Sequence, residues 1–526
     1  MKNIQKKMKT GIALLAISLV SLNCSDDILN QTNPNSITPA SFWQNADDAN
    51  RGAFGMYTPF TNIWYYTRFE IFTSDYRDDV INGFNTSERT AVGYFSGTAD
   101  SNATFWVWQA MFQGVARANE VIFNVPNIDM DATLRDNIVG EGHFVRAFNY
   151  FNLLNNWRNI PIITLPTSEY DLNEVMQAPP EDVWAQIELD LQTARDLLPN
   201  SWSAEFTGRA TAGAAAGLLG KTYLYQGKWA EAKAVFSEIM AGTYGSYQLM
   251  DDYAANFTEE FENNAESLFE IQLVNDGNGG WGGDGPGRGK GSAYQADLAP
   301  RGFTNQNGMR VNQWAYDLFT DEVTVNGELD PRIYTTLFAN SDETTEYQGK
   351  TLAFKTFTDK TFLEAYPDTD LDKPIPIYAN KWMDWEFTGR VESRDGGWHG
   401  GGNNLRLLRY SDILLMFAEA EFMLNGSTPA ALDAINQVRA RVDMPAFTSI
   451  TMQDIEDERV KELTFERTRY YDLLRWGKVV ERIVNNPDLK SESAGTGAYK
   501  PGREYIAIPQ NDIDRNFPRW TQNEGY

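Results

Sequence analysis

Residues 212–240 constrain the fold more than any other stretch, because their spacing is that of two helices packed as a hairpin. One glycine allows the paired helix to approach closely, a tyrosine fills the gap one turn later, and a second glycine ends the first helix. An alanine then packs on the second helix. The residues that set this spacing are Leu219, Gly220, Tyr223, Gly227 and Ala232.

This spacing is typical of a tetratricopeptide unit. Gly220-Lys221-Thr222 could be mistaken for the end of a phosphate-binding loop, but that loop requires a glycine where Ala215 stands. Apolar periodicity predicts further helices. They cover residues 102–124, 138–158, 181–198, 404–425, 428–443 and 454–484. The chain is therefore predicted to be mainly α, a helical scaffold with long irregular loops and few short strands.

Three segments are predicted to be loops inserted in this scaffold. Residues 275–303 are so rich in glycine that no regular element is expected there. Residues 340–402 are polar and contain prolines, which favours loops with short strands, and residues 75–96 form a further polar loop.

The chain begins with a predicted signal peptide, residues 1–23, followed by the single cysteine, Cys24. Four lysines precede a short apolar run at 12–20, which is the order of the charged and apolar regions of such a signal. The run is too short to span a bilayer, which requires about 20 residues. We predict that Cys24 becomes the first residue of the mature protein and that a diacylglyceryl group is attached to its sulfur.

The residues around Cys24 leave ordinary signal cleavage, with an incidental cysteine, as an alternative. The usual bacterial lipobox has leucine three positions before the cysteine and a small residue directly before it, where this chain has Ser21 and Asn23. The segment Ser25-Asp26-Asp27 that follows resembles the acidic signal that sends Bacteroidetes lipoproteins to the cell surface.

Composition excludes several classes of function. A net charge of −27 makes the chain a poor partner for nucleic acid or anionic lipid. One cysteine rules out intrachain disulfides and Cys-based zinc sites, and two histidines, His143 and His399, rule out a three-His metal site. No G-x-S-x-G, H-E-x-x-H or P-loop pattern is present. Paired carboxylates could hydrolyse glycosides, but among 72 acidic residues such pairs carry no signal.

The motifs of one known family recur along nearly the whole chain. Residues 406–420, RLLRYSDILLMFAEA, resemble the family's RYADVLLMYAEA helix. The other matching segments are Phe42-Trp43, Tyr57, 141–150, Asn159-Ile160-Pro161, Glu458-Arg459, Glu462-Leu463, Glu466-Arg467, 471–477, Ile508-Pro509-Gln510, Asn516 and 522–526. Glu524 stands where the family has proline. On these segments the chain resembles the SusD/RagB family of surface glycan-binding lipoproteins of Bacteroidetes.

The resemblance implies a single SusD-like body over 24–526, with four tetratricopeptide-like helix pairs along one side that form a superhelical scaffold. It implies a lipoprotein on the surface of the outer membrane that captures oligosaccharides without catalysis and delivers them to a SusC-like TonB-dependent transporter. Contact with the membrane would be through the lipid anchor only. A peptide-binding lipoprotein of the RagB type, a purely structural surface protein and a glycoside hydrolase are the alternatives.

A sugar-binding site requires exposed aromatic rings held by loops, because sugar C–H faces stack on rings while hydroxyl groups bond polar side chains. Trp281 and Tyr294 lie in the glycine-rich segment, Trp398 lies between glycines, and Phe84 lies in the polar loop beside Arg77 and Asp78. The candidate ligand-binding residues are therefore Trp281, Trp398, Tyr294, Phe84, Arg77 and Asp78. The alternative is core or partner packing for the aromatic residues and a local ion pair for Arg77 and Asp78.

Other aromatic residues and the first histidine are predicted to be structural. Trp106, Trp108, Trp157 and Trp229 sit at helical spacing, which favours core or interhelix positions, and His143 lies on a helix stripe. No cofactor is predicted. A structural Ca²⁺ is compatible with so acidic a chain, but no EF-hand pattern supports one.

Overall fold

Helices dominate the structure. The computed structural model describes residues 42–82, 88–274, 291–293, 297–298, 309–338, 345–347, 350–352, 377–382, 401–486, 489 and 499–526. The helices there are α1 (Ala46–Tyr57), α2 (Glu88–Gly93), α3 (Asn102–Asn124), α4 (Ala132–Trp157), α5 (Pro180–Leu197), α6 (Ala212–Tyr225), α7 (Trp229–Met240), α8 (Gln313–Thr320), α9 (Arg332–Thr336), α10 (Tyr410–Asn425), α11 (Pro429–Ala440), α12 (Met452–Leu463), α13 (Arg469–Arg475) and α14 (Gln510–Asn516).

Strands are short and few in the described part of the chain. They are β1 (Ile81–Asn82), β2 (Ser267–Ile271), β3 (Arg310–Val311), β4 (Leu337–Phe338), β5 (Thr345–Tyr347), β6 (Lys350–Leu352), β7 (Ile377–Ala379) and β8 (Leu405–Arg409). An antiparallel sheet has the order β1-β3-β7-β4, β2 pairs with β8, and β5 pairs with β6. The prediction of a mainly α fold with few short strands is confirmed.

The long helices pack in succession, each against the next along the chain. Helix α3 packs on α4, α4 on α5, α5 on α6, and α6 on α7; α10 then packs on both α7 and α11. One hydrophobic core runs through this stack, and its members include Trp157 on α4, Leu219 on α6 and Ile413 on α10. The predicted helix pairs are therefore present and share a continuous core.

The hairpin formed by α6 and α7 has the predicted register. A Cβ atom on Gly220 would lie 2.4 Å from Cε1 of Phe236 on α7, so only glycine fits this point of contact. Gly227 ends the first helix with a φ of +70°, a conformation that residues with a side chain rarely adopt. Ala232 is fully buried on the second helix.

Replacing Gly220 with leucine is expected to lower the free energy of unfolding by about 1–3 kcal/mol, because the new side chain would force α6 and α7 apart. Gly55 on α1 is the matched control, since no atom lies within 4 Å of the Cβ that alanine would add there. We expect Gly55→Ala to be neutral or to stabilise by up to about 1 kcal/mol. Urea denaturation followed by circular dichroism measures both variants, and equal stabilities would contradict the register.

Two of the predicted helices are wrong at their ends. Residues 404–425 were expected to form one helix, but β8 occupies Leu405–Arg409 and pairs with β2, so α10 begins only at Tyr410. Helix α4 begins at Ala132, ahead of the predicted 138, because Asp131 accepts a hydrogen bond of 2.9 Å from the Leu134 amide and caps it.

The predicted helix 454–484 is interrupted. Helix α12 ends at Leu463, and Phe465 and Arg467 then adopt positive φ angles of 66° and 61°. Arg467 is held in this turn by bonds to an earlier part of the chain: its amide donates to Asp75 Oδ1 at 3.0 Å and its Nε donates to Glu70 Oε2 at 2.6 Å. Tertiary contacts therefore override the local helical preference.

Buried ion pairs join helices that are distant in sequence. On α4, Arg146 donates to both carboxylate oxygens of Asp190 on α5, at 2.8 and 2.6 Å, and His143 Nδ1 lies 2.7 Å from the same carboxylate. Despite its burial, these contacts hold the pKa of Asp190 below its ordinary value. The prediction that His143 is structural is confirmed.

Candidate ligand-binding cleft

Most of the predicted ligand-binding residues lie outside the described residues. These are Phe84, Trp281, Tyr294 and Trp398, together with the predicted lipid-attachment residue Cys24. Their roles stay predictions. Of the predicted loop residues, Arg77 and Asp78 are described.

Arg77 and Asp78 are both about 1% exposed. The Arg77 guanidinium donates to Asn156 Oδ1 at 3.2 Å, to the Tyr470 hydroxyl at 2.7 Å and to the Glu504 carbonyl, and it lies 3.9 Å from the centre of the Tyr470 ring. Asp78 Oδ1 accepts from the amides of Val80 and Ile81 at 2.8 and 2.9 Å. Arg77 thus connects distant parts of the protein and Asp78 fixes the local backbone, and the local ion pair between the two that the sequence offered as an alternative is absent from the ion pairs of the described residues.

A large open cleft lies elsewhere, and tryptophans line it. It has a volume of about 860 Å³ and is bounded by one face of α3, by the segment 161–175 and by residues 512–520 around α14. Asn62 and Trp64 complete its lining. We refer to it as the aromatic cleft.

One face of α3 forms a wall of the aromatic cleft. Trp106, Gln109 and Gln113 recur at the three- and four-residue spacing of a single helix face and line the cleft. The opposite face carries Val107 and Met111, which are fully buried. Helix periodicity therefore directs an indole and two amides away from the core and into the cleft.

Trp64 and Trp106 form an aromatic pair in this wall. Their ring centres are 5.0 Å apart and their planes differ by 30°. Two contacts hold Trp64 in place. Asn62 Oδ1 accepts a hydrogen bond of 3.0 Å from the Trp64 backbone amide, and the centres of the Trp64 and Phe69 rings are 4.8 Å apart. Both indoles are half-buried, so part of each remains in contact with solvent.

The other side of the aromatic cleft is fixed by Trp520. Its Nε1 donates to the Val175 carbonyl at 2.9 Å, which ties the C-terminal segment to the segment 161–175. Leu172 lies on this side and is 64% exposed. Nearby along the chain, Met176 and Phe517 are 52% and 76% exposed. Apolar side chains therefore flank the cleft.

Charged groups in the aromatic cleft come from α14. Asp512 and Arg515 lie three residues apart on this helix, and both line the cleft. Burial raises the pKa of Asp512, although the charge of Arg515 and a hydrogen bond from Trp108 act in the opposite direction. The two opposite charges leave this part of the cleft without a net charge at neutral pH.

This cleft was not predicted, because the helical spacing of Trp106 favours a core or interhelix position. Trp108 and Trp157 are buried as predicted, at 3% and 0% exposure, and their rings meet 5.3 Å apart. Trp229 is partly buried and packs against the core. The available signal was that Gln109 and Gln113 share the face of Trp106, since two amides on one stripe are unusual for a core-facing surface.

The described residues offer no evident metal or membrane-spanning element. Within them, no three His, Cys, Asp or Glu side chains are grouped so as to hold a metal ion. In the same part of the chain, no helix combines the length and the apolar character needed to cross a bilayer.

Comparison with known proteins identifies the family. Residues 246–526 match the SusD family, and residues 52–224 match a family described as starch-binding and associating with the outer membrane. SusD-like protein P25 of Formosa agariphila is 25% identical over 518 residues, which cover 91% of this chain and 92% of that protein.

Solved structures agree with the family match. A SusD superfamily protein from Bacteroides vulgatus has a TM-score of 0.76 at 24% identity, and the match covers 92% of this chain and 100% of that one. A laminarin binding SusD-like protein has a TM-score of 0.73 at 29% identity with the same coverage. The match of 246–526, more than half of the sequence, shows that this chain belongs to the SusD family.

Proposed function

We propose that this protein is a lipid-anchored protein on the outer face of the outer membrane, which captures oligosaccharides without catalysis and delivers them to a SusC-like TonB-dependent transporter. The observation that carries the proposal is the similarity to a laminarin binding SusD-like protein, which extends over 92% of this chain and all of that one at 29% identity. The family match described as starch-binding and associating with the outer membrane supports the same class of ligand and the same location.

The proposal treats residues 24–526 as one mature body and assigns ligand contact to loops of that body. Trp281 is proposed as the main stacking residue, with Trp398, Tyr294 and Phe84 as further contacts. We leave out Arg77 and Asp78, because both side chains are buried and form hydrogen bonds inside the protein.

Two ionisable side chains of α4 are engaged inside the fold. His143 Nδ1 lies 2.7 Å from the buried carboxylate of Asp190. Glu141 is buried and accepts from Arg209 Nε at 2.8 Å and from the Tyr57 hydroxyl at 2.8 Å. These contacts give both side chains a structural role.

A binding array tests the ligand class. We expect the purified mature body to bind neutral oligosaccharides on an array that includes laminarihexaose and maltohexaose, and to leave them intact when the products are analysed by chromatography. Binding to peptides alone would replace the proposal with a RagB-type function. Shortened products would identify a hydrolase.

Affinity purification tests the transporter partner. From membranes dissolved in mild detergent, the tagged lipoprotein is expected to recover a much larger β-barrel protein in stoichiometric amount. Recovery of the lipoprotein alone after crosslinking would contradict delivery to a transporter. Only the capture of oligosaccharides would then remain of the proposal.

A further inference from the structure

We infer that the aromatic cleft is a second carbohydrate-binding site, which takes a neutral oligosaccharide stacked on Trp64 and Trp106. The class of ligand follows from the proposed function. The location of the site follows from the described side chains that line the cleft. None of the residues that line the aromatic cleft belongs to the predicted loops 75–96, 275–303 and 340–402. The proposed site therefore shares no residue with the predicted site at Trp281.

Trp64 and Trp106 offer a surface on which a sugar can stack. Two half-buried indoles, 5.0 Å apart and tilted by 30°, form a continuous apolar surface longer than one ring. The C–H groups of a pyranose carry partial positive charge, and the face of an aromatic ring carries partial negative charge, so the two attract each other. The pair can therefore accommodate successive sugar units, and Asn62 fixes the position of Trp64 in advance.

The polar groups of the aromatic cleft suit a sugar. Gln109, Gln113, Asn173 and Asn516 all line it and carry side-chain amides. The amides of Asn173 and Asn516 each donate one hydrogen bond to a nearby residue of the protein, and their oxygens are acceptors. An amide both donates and accepts hydrogen bonds, and so does a sugar hydroxyl group, so the two are matched without any charge. A groove that binds an apolar helix would not require this density of amides.

The charge and the volume of the aromatic cleft limit the ligands that it can bind. Arg515 is accompanied by Asp512 on the same helix, so the aromatic cleft offers no surplus positive charge to a uronate or a sulfated sugar. Its volume of about 860 Å³ lies in the range of sites that enclose small ligands, about 300–1,000 Å³. Both features favour a short stretch of neutral glycan.

The exposed side chains Leu172, Met176 and Phe517 are the evidence for a different occupant, a protein partner. Leu172 itself lines the aromatic cleft, whereas Met176 and Phe517 follow the lining residues Val175 and Asn516 along the chain and lie outside the lining. Protein interfaces of standard size bury about 800 Å² per partner, mostly over broad surfaces, whereas this feature is concave. We therefore assign the interior to a glycan and make protein docking an outcome of the test.

The test measures glycan affinity by calorimetry in a Trp281→Ala background, which removes the predicted loop site. We expect the Trp281→Ala protein still to bind laminarihexaose or maltohexaose. Adding Trp106→Ala is expected to lower that affinity by roughly 30-fold, which is the effect of losing a central aromatic contact. Gln109→Ala, an exposed helix substitution without a packing cost, is expected to weaken it several-fold. Phe54→Ala is the control, because Phe54 is exposed on α1 outside the aromatic cleft.

Amide hydrogen exchange supplies a readout that does not depend on substitutions. Adding laminarihexaose is expected to protect the amides of residues 161–175 from exchange in the Trp281→Ala protein, whereas adding polygalacturonate oligomers is expected to leave their exchange unchanged.

Three outcomes would overturn the inference while the proposed function stands. They are loss of all glycan binding in the Trp281→Ala protein, unchanged affinity after Trp106→Ala, and protection of 161–175 by polygalacturonate. Absence of binding to any neutral glycan by the unaltered protein would overturn both, and crosslinking of 161–175 to the transporter with no glycan effect would identify a protein interface.

Discussion

Replacing Arg409 with methionine is expected to lower the free energy of unfolding by about 3–5 kcal/mol, the typical cost of removing one partner from a buried ion pair. Arg409 ends β8 and is about 1% exposed. Its guanidinium donates to both oxygens of Glu466 at 2.7 Å, to Glu462 Oε1 at 3.0 Å and to Glu266. Three buried carboxylates therefore share this one cation.

The neighbouring charges show why the loss cannot be absorbed. Glu462 also pairs with Arg332, at 3.2 Å, and with Arg441. Burial acts to raise the pKa of Glu462, but Arg441, Arg409 and Arg332 together hold it below its ordinary value. Without Arg409 the cluster retains its buried carboxylates with one positive charge fewer. Methionine fills a similar volume, so the expected loss is electrostatic rather than a loss of packing.

Arg51→Met is the matched control for Arg409→Met. Arg51 pairs with Asp48 at 3.2 Å, but its side chain is 69% exposed, and such surface pairs contribute about 0–1 kcal/mol. Urea denaturation of both variants, followed by circular dichroism, measures the difference. If the two substitutions cost the same, the buried cluster does not stabilise the fold in the way its geometry indicates.

This cluster also explains which part of the sequence could identify the family. Arg409, Glu462 and Glu466 all lie in the motifs that carry the SusD/RagB resemblance, and all three are buried. A buried charge restricts its position to one residue type, because replacement leaves its partner unpaired. These three motif residues therefore help to determine the fold.

The same physics explains the errors in the predicted elements. Periodicity identified the long helices because each of them buries an apolar stripe. The same pattern wrongly extended α10 back over β8, where Arg406 and Arg409 are buried and form ion pairs. The break after α12 depends on Glu70 and Asp75, almost 400 residues earlier, and no local pattern contains that contact.

The aromatic cleft escaped prediction for a related reason. A helix pattern shows that Trp106 lies on one face of α3, but not whether another element covers that face. Coverage is decided by the segment 161–175 and by Trp520, which approach from distant parts of the sequence and leave the face open. Loop residues such as Trp281 could be proposed from composition alone, since glycine-rich loops give their aromatic residues few core neighbours.

Changing Cys24 to alanine is expected to move nearly all of the protein out of the membrane fraction, or to leave it as an uncleaved precursor. One acyl chain gives only marginal membrane binding, at about 0.8 kcal/mol per buried CH₂ group, and stable anchoring requires a second signal. The diacylglyceryl group predicted on Cys24 supplies two chains through one thioether. Loss of the thiol removes both chains together, so the expected effect is close to complete.

Metabolic labelling with palmitate and fractionation of the cells measure this effect, with Ser25→Ala as the control because it changes the neighbouring residue and keeps the thiol. The unaltered protein and Ser25→Ala are expected to carry label and to remain with the outer membrane, while Cys24→Ala carries none. A Cys24→Ala protein that is correctly processed and still membrane-bound would contradict lipid anchoring. An unaltered protein that is cleaved, unlabelled and released would instead support ordinary signal cleavage, and capture at the cell surface would then require an anchor other than Cys24.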